Sequence, residues 1–257
     1  MMQRQAHPMF SIISVVLNGA EHLETCLESV ACQRDVLVEH IVIDGGSTDG
    51  SVDILRQWSN RLAFWCSEPD DGISAAMNKG VIHAKGDWII FVHADDYLTG
   101  PNILAQVRGA LDERCDIAAF PVLFGSPPQL QLLQPRKAGI LLNLKMGMCH
   151  QGMATRRALF DRIGLFDGSY RIGMDYDFLL RAYRCETRIK TCSAPVLSTM
   201  RDTGISSQRG WPVLQRRLSE ERRIHFQHTS NALQRLGYSV YWHVYLMYRR
   251  WLSSLRK

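Results

Sequence analysis

No two of the seven cysteines (Cys26, Cys32, Cys66, Cys115, Cys149, Cys185, Cys192) have CxxC spacing. A zinc site of the usual kind is therefore not expected. The odd count and the absence of a signal-like start fit reduced thiols in a cytosol. Met1 to Pro8 is short and polar, with no hydrophobic core of a secretory leader behind it. No run reaches the roughly 18 apolar residues that a membrane span requires. Repeats and low-complexity tracts are missing too, and no GxGxxG follows the first apolar run. That omission argues against a dinucleotide-binding dehydrogenase. Charge is only mildly one-sided, at +5 over 257 residues. A solvated basic face or an anionic membrane explains such an excess at least as well as nucleic acid, which is not expected as a partner.

What is present is a chain with 46% hydrophobic and 21% charged residues, long enough to bury one core with an appendage. The most informative stretch is Trp88-Ile89-Ile90-Phe91-Val92, an apolar run that ends in His93-Ala94-Asp95-Asp96. Aspartate is disfavoured within strands and costly to bury unpaired, so Asp95 and Asp96 belong at a strand exit. Hard oxygen ligands there suit magnesium or manganese, which bind through one or two carboxylates plus ligand phosphates. The plainer reading is a turn, or a cap for a helix over Asn102 to Leu111.

The spacing predicts strands over Phe10 to Leu17, Glu39 to Asp44, Leu62 to Cys66 and Trp88 to Val92. Helices are predicted over Ala20 to Gln33, Ser51 to Trp58 and Gly72 to Ala84. This alternation indicates a parallel, doubly wound sheet, whose ligands bind at the carboxyl ends of the strands. Asp44, Asp95 and Asp96 would then share one crevice. In the second half we expect a strand over Ile117 to Phe124 and mostly loop over Gly125 to Gly139. Helices follow at Arg157 to Ile163 and Asp175 to Tyr183, and a last strand at Cys192 to Ser198.

Each motif has two readings. Asp44-Gly45-Gly46-Ser47-Thr48-Asp49-Gly50-Ser51 is either an ordinary strand-to-helix turn or a loop whose Asp44 accepts hydrogen bonds from a nucleobase or ribose. In Glu68 to Gly80, the acids either favour a helix N-terminus or pair with a base or ribose, with Lys79 on a phosphate. Asp175 is either a helix N-cap or a general base within reach of an acceptor hydroxyl. Asp177 reads as a first-turn residue favoured by the helix dipole. His150 either contacts a pyrophosphate, metal or sugar, or is a structural histidine.

In order, the chain carries Asn18 after the first strand, then IDGGSTDGS (43–51), SEPDDGISAAMNKG (67–80), GDWIIFVHADD (86–96) and FDGSYRIGMDYDFLLRA (166–182). This series, spanning about Ser11 to Arg181, resembles the family-2 inverting glycosyltransferases of GT-A fold. Among them it looks most like bacterial members that build exopolysaccharide, colanic-acid-like or O-antigen units. The resemblance implies an α/β fold, a Rossmann-like and mostly parallel sheet flanked by helices. It implies a divalent metal, magnesium or manganese, and a nucleotide-sugar donor, most often UDP-linked. Asp44 matches the acid on the uracil or ribose, Asp95 and Asp96 the metal-binding DxD region, and Asp175 the catalytic base. The residues expected to hold the donor are Asp44, Asp49, Asp70, Asn78, Lys79, Asp95 and His150. The acceptor implied is a saccharide or polyprenyl-linked saccharide. Three departures stand out: His93 in place of the first DxD acid, Met174 in place of the Glu before the base, and Leu17 where Tyr is frequent. They leave a degenerate, nucleotide-sugar-binding protein without turnover as the alternative. A nucleotidyltransferase would need a basic loop after the first strand, and Leu17 to His22 lacks one.

The expected organisation is a flexible start (1–9), a catalytic domain (10–205) with a nucleotide-binding half (10–98) and an acceptor-binding half (99–205), and a basic, aromatic, helical extension (206–257). In that extension Tyr238, Tyr241, Trp242, Tyr245, Tyr248 and Trp251 lie near Arg249, Arg250, Arg256 and Lys257. Helices with such faces lie in membrane interfaces, which suggests peripheral attachment to the cytoplasmic leaflet. The alternatives are packing on the catalytic domain and a contact between copies of the chain.

Overall fold

A computed structural model describes residues 9–204, 211–229 and 231–254, excluding the side chains of 253 and 254. Residues 1–8 of the expected flexible start and the expected boundary at 205/206 lie outside the described residues.

The apolar runs become strands because they are buried on both faces. β1 (Phe10–Val16) and β2 (Val38–Asp44) pair in parallel, from Phe10 beside Val38 to Val16 beside Asp44. β3 (Phe64–Ser67) extends the sheet beyond β2, and β4 (Trp88–Phe91) joins the other side of β1. Alternate residues of β1 face opposite layers. Ile13 and Val15 pack with α3 (Ile73–His83), whereas Phe10 and Ile12 pack toward α1 (Ala20–Ala31). α2 (Ser51–Trp58) adds Leu55 to a third cluster with Val16, Leu23 and Val42. Gly80 of α3 rests on Ile13: a Cβ there would lie 2.4 Å from the Ile13 side chain, so the helix needs glycine to approach β1.

The chain runs from β1 to β2 and β3 on one side, then returns to place β4 on the other. The crevice at the carboxyl ends of β1 and β4 is therefore a topological switch point, where such sheets bind ligands.

Beyond β4 come the two-residue β5 (Tyr97–Leu98) and α4 (Ile103–Ala110). The expected strand over Ile117 to Phe124 is two strands in two sheets, β6 (Ile117–Ala119) and β7 (Val122–Phe124). Pro121 lies between them, has no N–H for a ladder, and marks the change of sheet. β8 (Gln131–Leu133) is the extended piece of the expected loop, and Ile140–Asn143 forms a single 3-10 turn. β9 (Met153–Arg156) runs antiparallel between β4 and β6 and leads into α5 (Arg157–Ile163).

α6 (Met174–Arg184) is followed by β10 (Ile189–Thr191) and β11 (Ser198–Met200). These two strands flank the expected one over Cys192 to Ser198, with Pro195 in the gap, and they too belong to different sheets. The main sheet has the order β10-β6-β9-β4-β1-β2-β3, and the second β5-β11-β7-β8. Only the two pairings made by β9 are antiparallel in the main sheet, so it is mixed but mostly parallel. Two helices complete the described chain, α7 (Trp211–Gln227) and α8 (Ala232–Ser254). Among the described residues no helix is long and apolar enough to cross a membrane.

Candidate functional site

Four parallel strands end at the same edge of the sheet. Asp44 closes β2 and is fully buried. Its Oδ2 accepts hydrogen bonds from the backbone N–H of Gly46 (3.0 Å) and Ser47 (2.9 Å) and from the Ser67 hydroxyl (2.7 Å), and its Oδ1 accepts from the Ser47 hydroxyl (2.5 Å). A carboxylate has about four such acceptor positions. Asp44 therefore spends its lone pairs shaping the loop, with Gly46 turned at φ 85° beneath Pro69. Asp49 is also occupied: it accepts from Ala20 N–H (2.9 Å) at the start of α1 and from the Ser51 hydroxyl (2.6 Å) at the start of α2. Those bonds, the Ser51 hydroxyl first, hold its carboxyl below the usual range. Asn18, at φ 52°, accepts from Thr48 N–H at 2.9 Å and so ties the β1 exit to the β2 exit.

After β3, Lys79 stands 2.5 Å from Asp70 and 2.7 Å from Glu68. These two hydrogen-bonded carboxylates raise its pKa. In this arrangement Lys79, expected on a phosphate, is paired with two carboxylates, one of them Asp70. Asn78 makes two hydrogen bonds to the backbone of one residue, donating to Phe166 C=O (2.9 Å) and accepting from Phe166 N–H (3.0 Å). It joins α3 to the segment before α6.

The exit of β4 is less satisfied. Asp95 is half-buried and accepts from the Thr203 hydroxyl at 2.8 Å. Asp96 is only 2% exposed; its Oδ1 accepts from Arg201 N–H at 3.2 Å, while Oδ2 is buried without a partner among the described residues. Burial first, then the neighbouring Asp95, raises the Asp96 pKa well above the ordinary range. The His93 and His150 rings lie 6.0 Å apart and nearly parallel, beside Phe91 and Phe166. Nδ1 of His93 and both ring nitrogens of His150 are buried without partners among the described residues. Burial lowers His93 to about 4 and His150 to about 3, so both are neutral near pH 7.

This donor set can be tested against a divalent cation. Among the described residues no group of three or more His, Cys, Asp or Glu forms a metal cage. Magnesium and manganese need none: one or two carboxylates suffice when the phosphates of a ligand complete the shell. The orphaned Asp96 Oδ2 beside Asp95 fits that mode. The cost of leaving such an acceptor unmet in the interior is about 1–3 kcal/mol, which a cation would relieve.

Asp175 is the second residue of α6, whose N-cap is Gly173. The N-cap reading of Asp175 is thereby corrected: it stands two positions past the cap. Its Oδ1 accepts from Tyr176 N–H at 2.7 Å. Desolvation raises its pKa from 3.8 to about 6, opposed by that bond and by Arg217, and reinforced by Glu221. The Cys149 thiol, pushed up to about 11 mainly by burial, is raised further by Asp175 and then Asp96. The Cys149 thiol thus lies near enough to both the β4 exit and the start of α6 to feel the two carboxylates.

Asp177 lies in the first turn of α6, as expected, and it is also buried, at 1% exposure, and held by Arg181 (2.9 Å) and His228 (2.6 Å). The tail aromatics also divide. Tyr238 and Trp242 pack with Leu218 in a core between α7 and α8, whereas Tyr248 and Trp251 are exposed. Sequence reasoning passed over Glu220, whose carboxylate accepts from Arg171, Ile172 and Gly173 N–H. Its one signal is that Glu220-Glu221 are the only acids in an otherwise basic tail.

Residues 11–164 match the model of glycosyl transferase family 2. A PGL/p-HBAD biosynthesis glycosyltransferase from Mycobacterium bovis is 36% identical over 187 residues, 69% of this chain and 71% of that protein. The crystal structure of S. aureus TarS 1-349 in complex with UDP superposes with a TM-score of 0.65 at 20% identity, over 84% of this chain and 64% of that one. The mannosyltransferase PcManGT from Pyrobaculum calidifontis, in complex with GDP-Man and Mn2+, also gives 0.65 at 18% identity, over 93% and 71%. The two structures share the GT-A fold with this chain. The expected fold and family are borne out: with its switch-point crevice, its strand-end acids and the family match over more than half its length, this chain belongs to glycosyl transferase family 2 and is a nucleotide-sugar-dependent glycosyltransferase.

Proposed function

We propose that the protein transfers a sugar, with inversion, from a UDP-sugar to a hydroxyl of a saccharide or lipid-linked saccharide during surface polysaccharide or glycolipid assembly. The observation that carries this reading is Asp175, half-buried at the start of α6, with its pKa raised to about 6. A general base works best with a pKa near the operating pH, ionised yet still basic. Asp175 takes the proton from the acceptor hydroxyl as that oxygen attacks the anomeric carbon. One displacement inverts the centre, and no cysteine or serine nucleophile is required. Asp95 and Asp96 would hold a divalent cation, whose chemistry is to neutralise charge on the departing nucleoside diphosphate. Asp44, Asp49 and Asn18 hold the β1 and β2 exit loops in shape for the nucleoside. Asp70 and Lys79 line its far side, and His150 stays neutral beneath the diphosphate. Two of the relatives are described with UDP and with GDP-Man and Mn2+, which supports this donor class.

The extension supports a membrane location for the acceptor. α8 has no acidic residue and carries Arg235, Arg249 and Arg250. Leu233, Leu236, Val240, Val244, Met247 and Trp251 form an exposed apolar stripe along it, with Leu233 at 77% and Met247 at 62% exposure. Apolar stripes of this length on a basic helix suit an anionic lipid interface. Sedimentation with vesicles containing phosphatidylglycerol tests it: Val244→Glu with Met247→Glu should abolish binding. A wild-type protein that ignores the vesicles, or that pairs through α8 into dimers, contradicts the membrane reading.

The donor is tested by a thermal-shift screen of UDP, GDP, dTDP and CMP, with and without manganese. Binding to the native state alone raises the apparent stability. A manganese-dependent shift with UDP, lost in Asp95→Ala/Asp96→Ala, is expected. A shift with GDP or dTDP in place of UDP overturns the choice of donor.

A further inference from the structure

We infer that α7 is part of the catalytic apparatus, with Glu220 as a positioning residue for Asp175. This rests on Asp175 as the base. Helix α7 lies outside residues 11–164 matched by the family model, yet one of its faces grips the start of α6 repeatedly. Glu220, 9% exposed, accepts three consecutive backbone N–H groups through Oε2: Arg171 (3.2 Å), Ile172 (2.8 Å) and Gly173 (2.8 Å). These are amides at the entry of α6, where a carboxylate is favoured by the helix dipole. Gly173 permits the approach, since a Cβ there would lie 2.9 Å from Ile224 of α7.

One turn on, His225 takes part in a closed chain. Trp242 Nε1–H donates to His225 Nδ1 at 2.9 Å, which leaves the proton on Nε2. That nitrogen, 2.8 Å from the Tyr176 hydroxyl, donates to it, and Tyr176 donates to Leu142 C=O at 2.8 Å. His228 then pairs with Asp177 at 2.6 Å. Asp175 sits between the Glu220 grip and the Tyr176 anchor, so α7 holds the backbone on both sides of it. Arg217 and Glu221, paired at 3.0 Å, face the same acid from α7, and Cys149 faces it from the loop before β9.

Such a role predicts loss of rate rather than of donor affinity, because misplacing a reacting group costs turnover. The readout is UDP release from a UDP-sugar with water as acceptor, beside UDP affinity in manganese. Glu220→Ala should lower kcat at least tenfold, with KM and UDP affinity within twofold. Glu220→Gln, which retains an amide oxygen for the backbone N–H groups, should recover most of the loss. Glu220→Asp retains the charge but draws the carboxylate back by one methylene. It should fold as wild type and still lose several-fold in kcat. Arg217→Gln should move the acidic limb of kcat/KM upward: it removes the cation that lowers the Asp175 pKa and frees Glu221, which raises it. Wild-type kcat in both Glu220→Ala and Glu220→Asp, while Asp175→Asn is inactive, overturns the role of α7 alone. Parallel loss of kcat and UDP affinity also overturns it. Full turnover in Asp175→Asn would instead remove the base assignment beneath it.

Discussion

The two sides of the cleft treat their acids in opposite ways. At the β2 exit, Asp44 and Asp49 are saturated with hydrogen bonds from residues within a few positions or from the neighbouring loop. At the start of α6, Asp175 has, among the described residues, one hydrogen bond, from its immediate neighbour, and a pKa lifted to about 6. Stability is invested in the nucleotide side, where the backbone must present a fixed loop. On the acceptor side the fold tolerates a disfavoured charge, which is the condition for a base that works near neutral pH.

The largest expected consequence is at Asp175. Asp175→Asn should lower turnover roughly 100- to 10,000-fold, the usual span for a lost general base. The same change should stabilise the protein at pH 7.5 by about 1–2 kcal/mol, after allowance for partial exposure. The sign follows from the raised pKa: the native state binds more protons between pH 4 and 6, so wild type loses stability as pH rises through that window. The gain should vanish below about pH 4, where aspartate is protonated in both states. Chemical denaturation at several pH values would sharpen the contrast, and a destabilised variant at pH 7.5 would break it.

Asp44→Asn should do the reverse. Removing part of a buried, four-bond acceptor costs about 2 kcal/mol or more. Melting should fall and KM for the UDP-sugar should rise, with kcat little changed. A kcat effect larger than the KM effect would put Asp44 in the chemistry. The pH profile comes next: kcat/KM should rise through about pH 6 and level above it, because Asp175 must be ionised to accept a proton. A flat profile from pH 5 to 8 would contradict the titration of Asp175. The smallest effect is expected at Asn78, whose loss removes two bonds to Phe166. Asn78→Ala should cost about 1–2 kcal/mol of stability and leave UDP affinity unchanged, as a titration would show.

The same contrast decides what was legible in the sequence. The nucleotide side is built from local signals: apolar runs ending in Asp44 and Asp95, glycines in turns, and helices at 3.6-residue spacing, and the strands and helices there fall within a few residues of expectation. The second half hides its breaks. Pro121 and Pro195 interrupt what read as single strands, because the chain changes sheet at each and periodicity carries no record of that. Asp177 has one partner at i+4, Arg181, that a helical reading reaches, but its other partner, His228, is 51 residues away. Glu220 acts 47 residues from Gly173 and has no spacing that points to it. The aromatic tail reads from the sequence as an interfacial face, a packed helix or a contact between copies. In the structure the i, i+4 pair Tyr238 and Trp242 turns inward, while the exposed stripe is mostly aliphatic and ends on Trp251.

The most direct test of the separation between binding and chemistry is a titration of UDP, in manganese, into Asp175→Asn, with UDP-sugar turnover measured on the same preparation. UDP affinity should stay within twofold of wild type while turnover falls at least 100-fold. Wild-type turnover, or a loss of affinity that matches the loss of turnover, would contradict it.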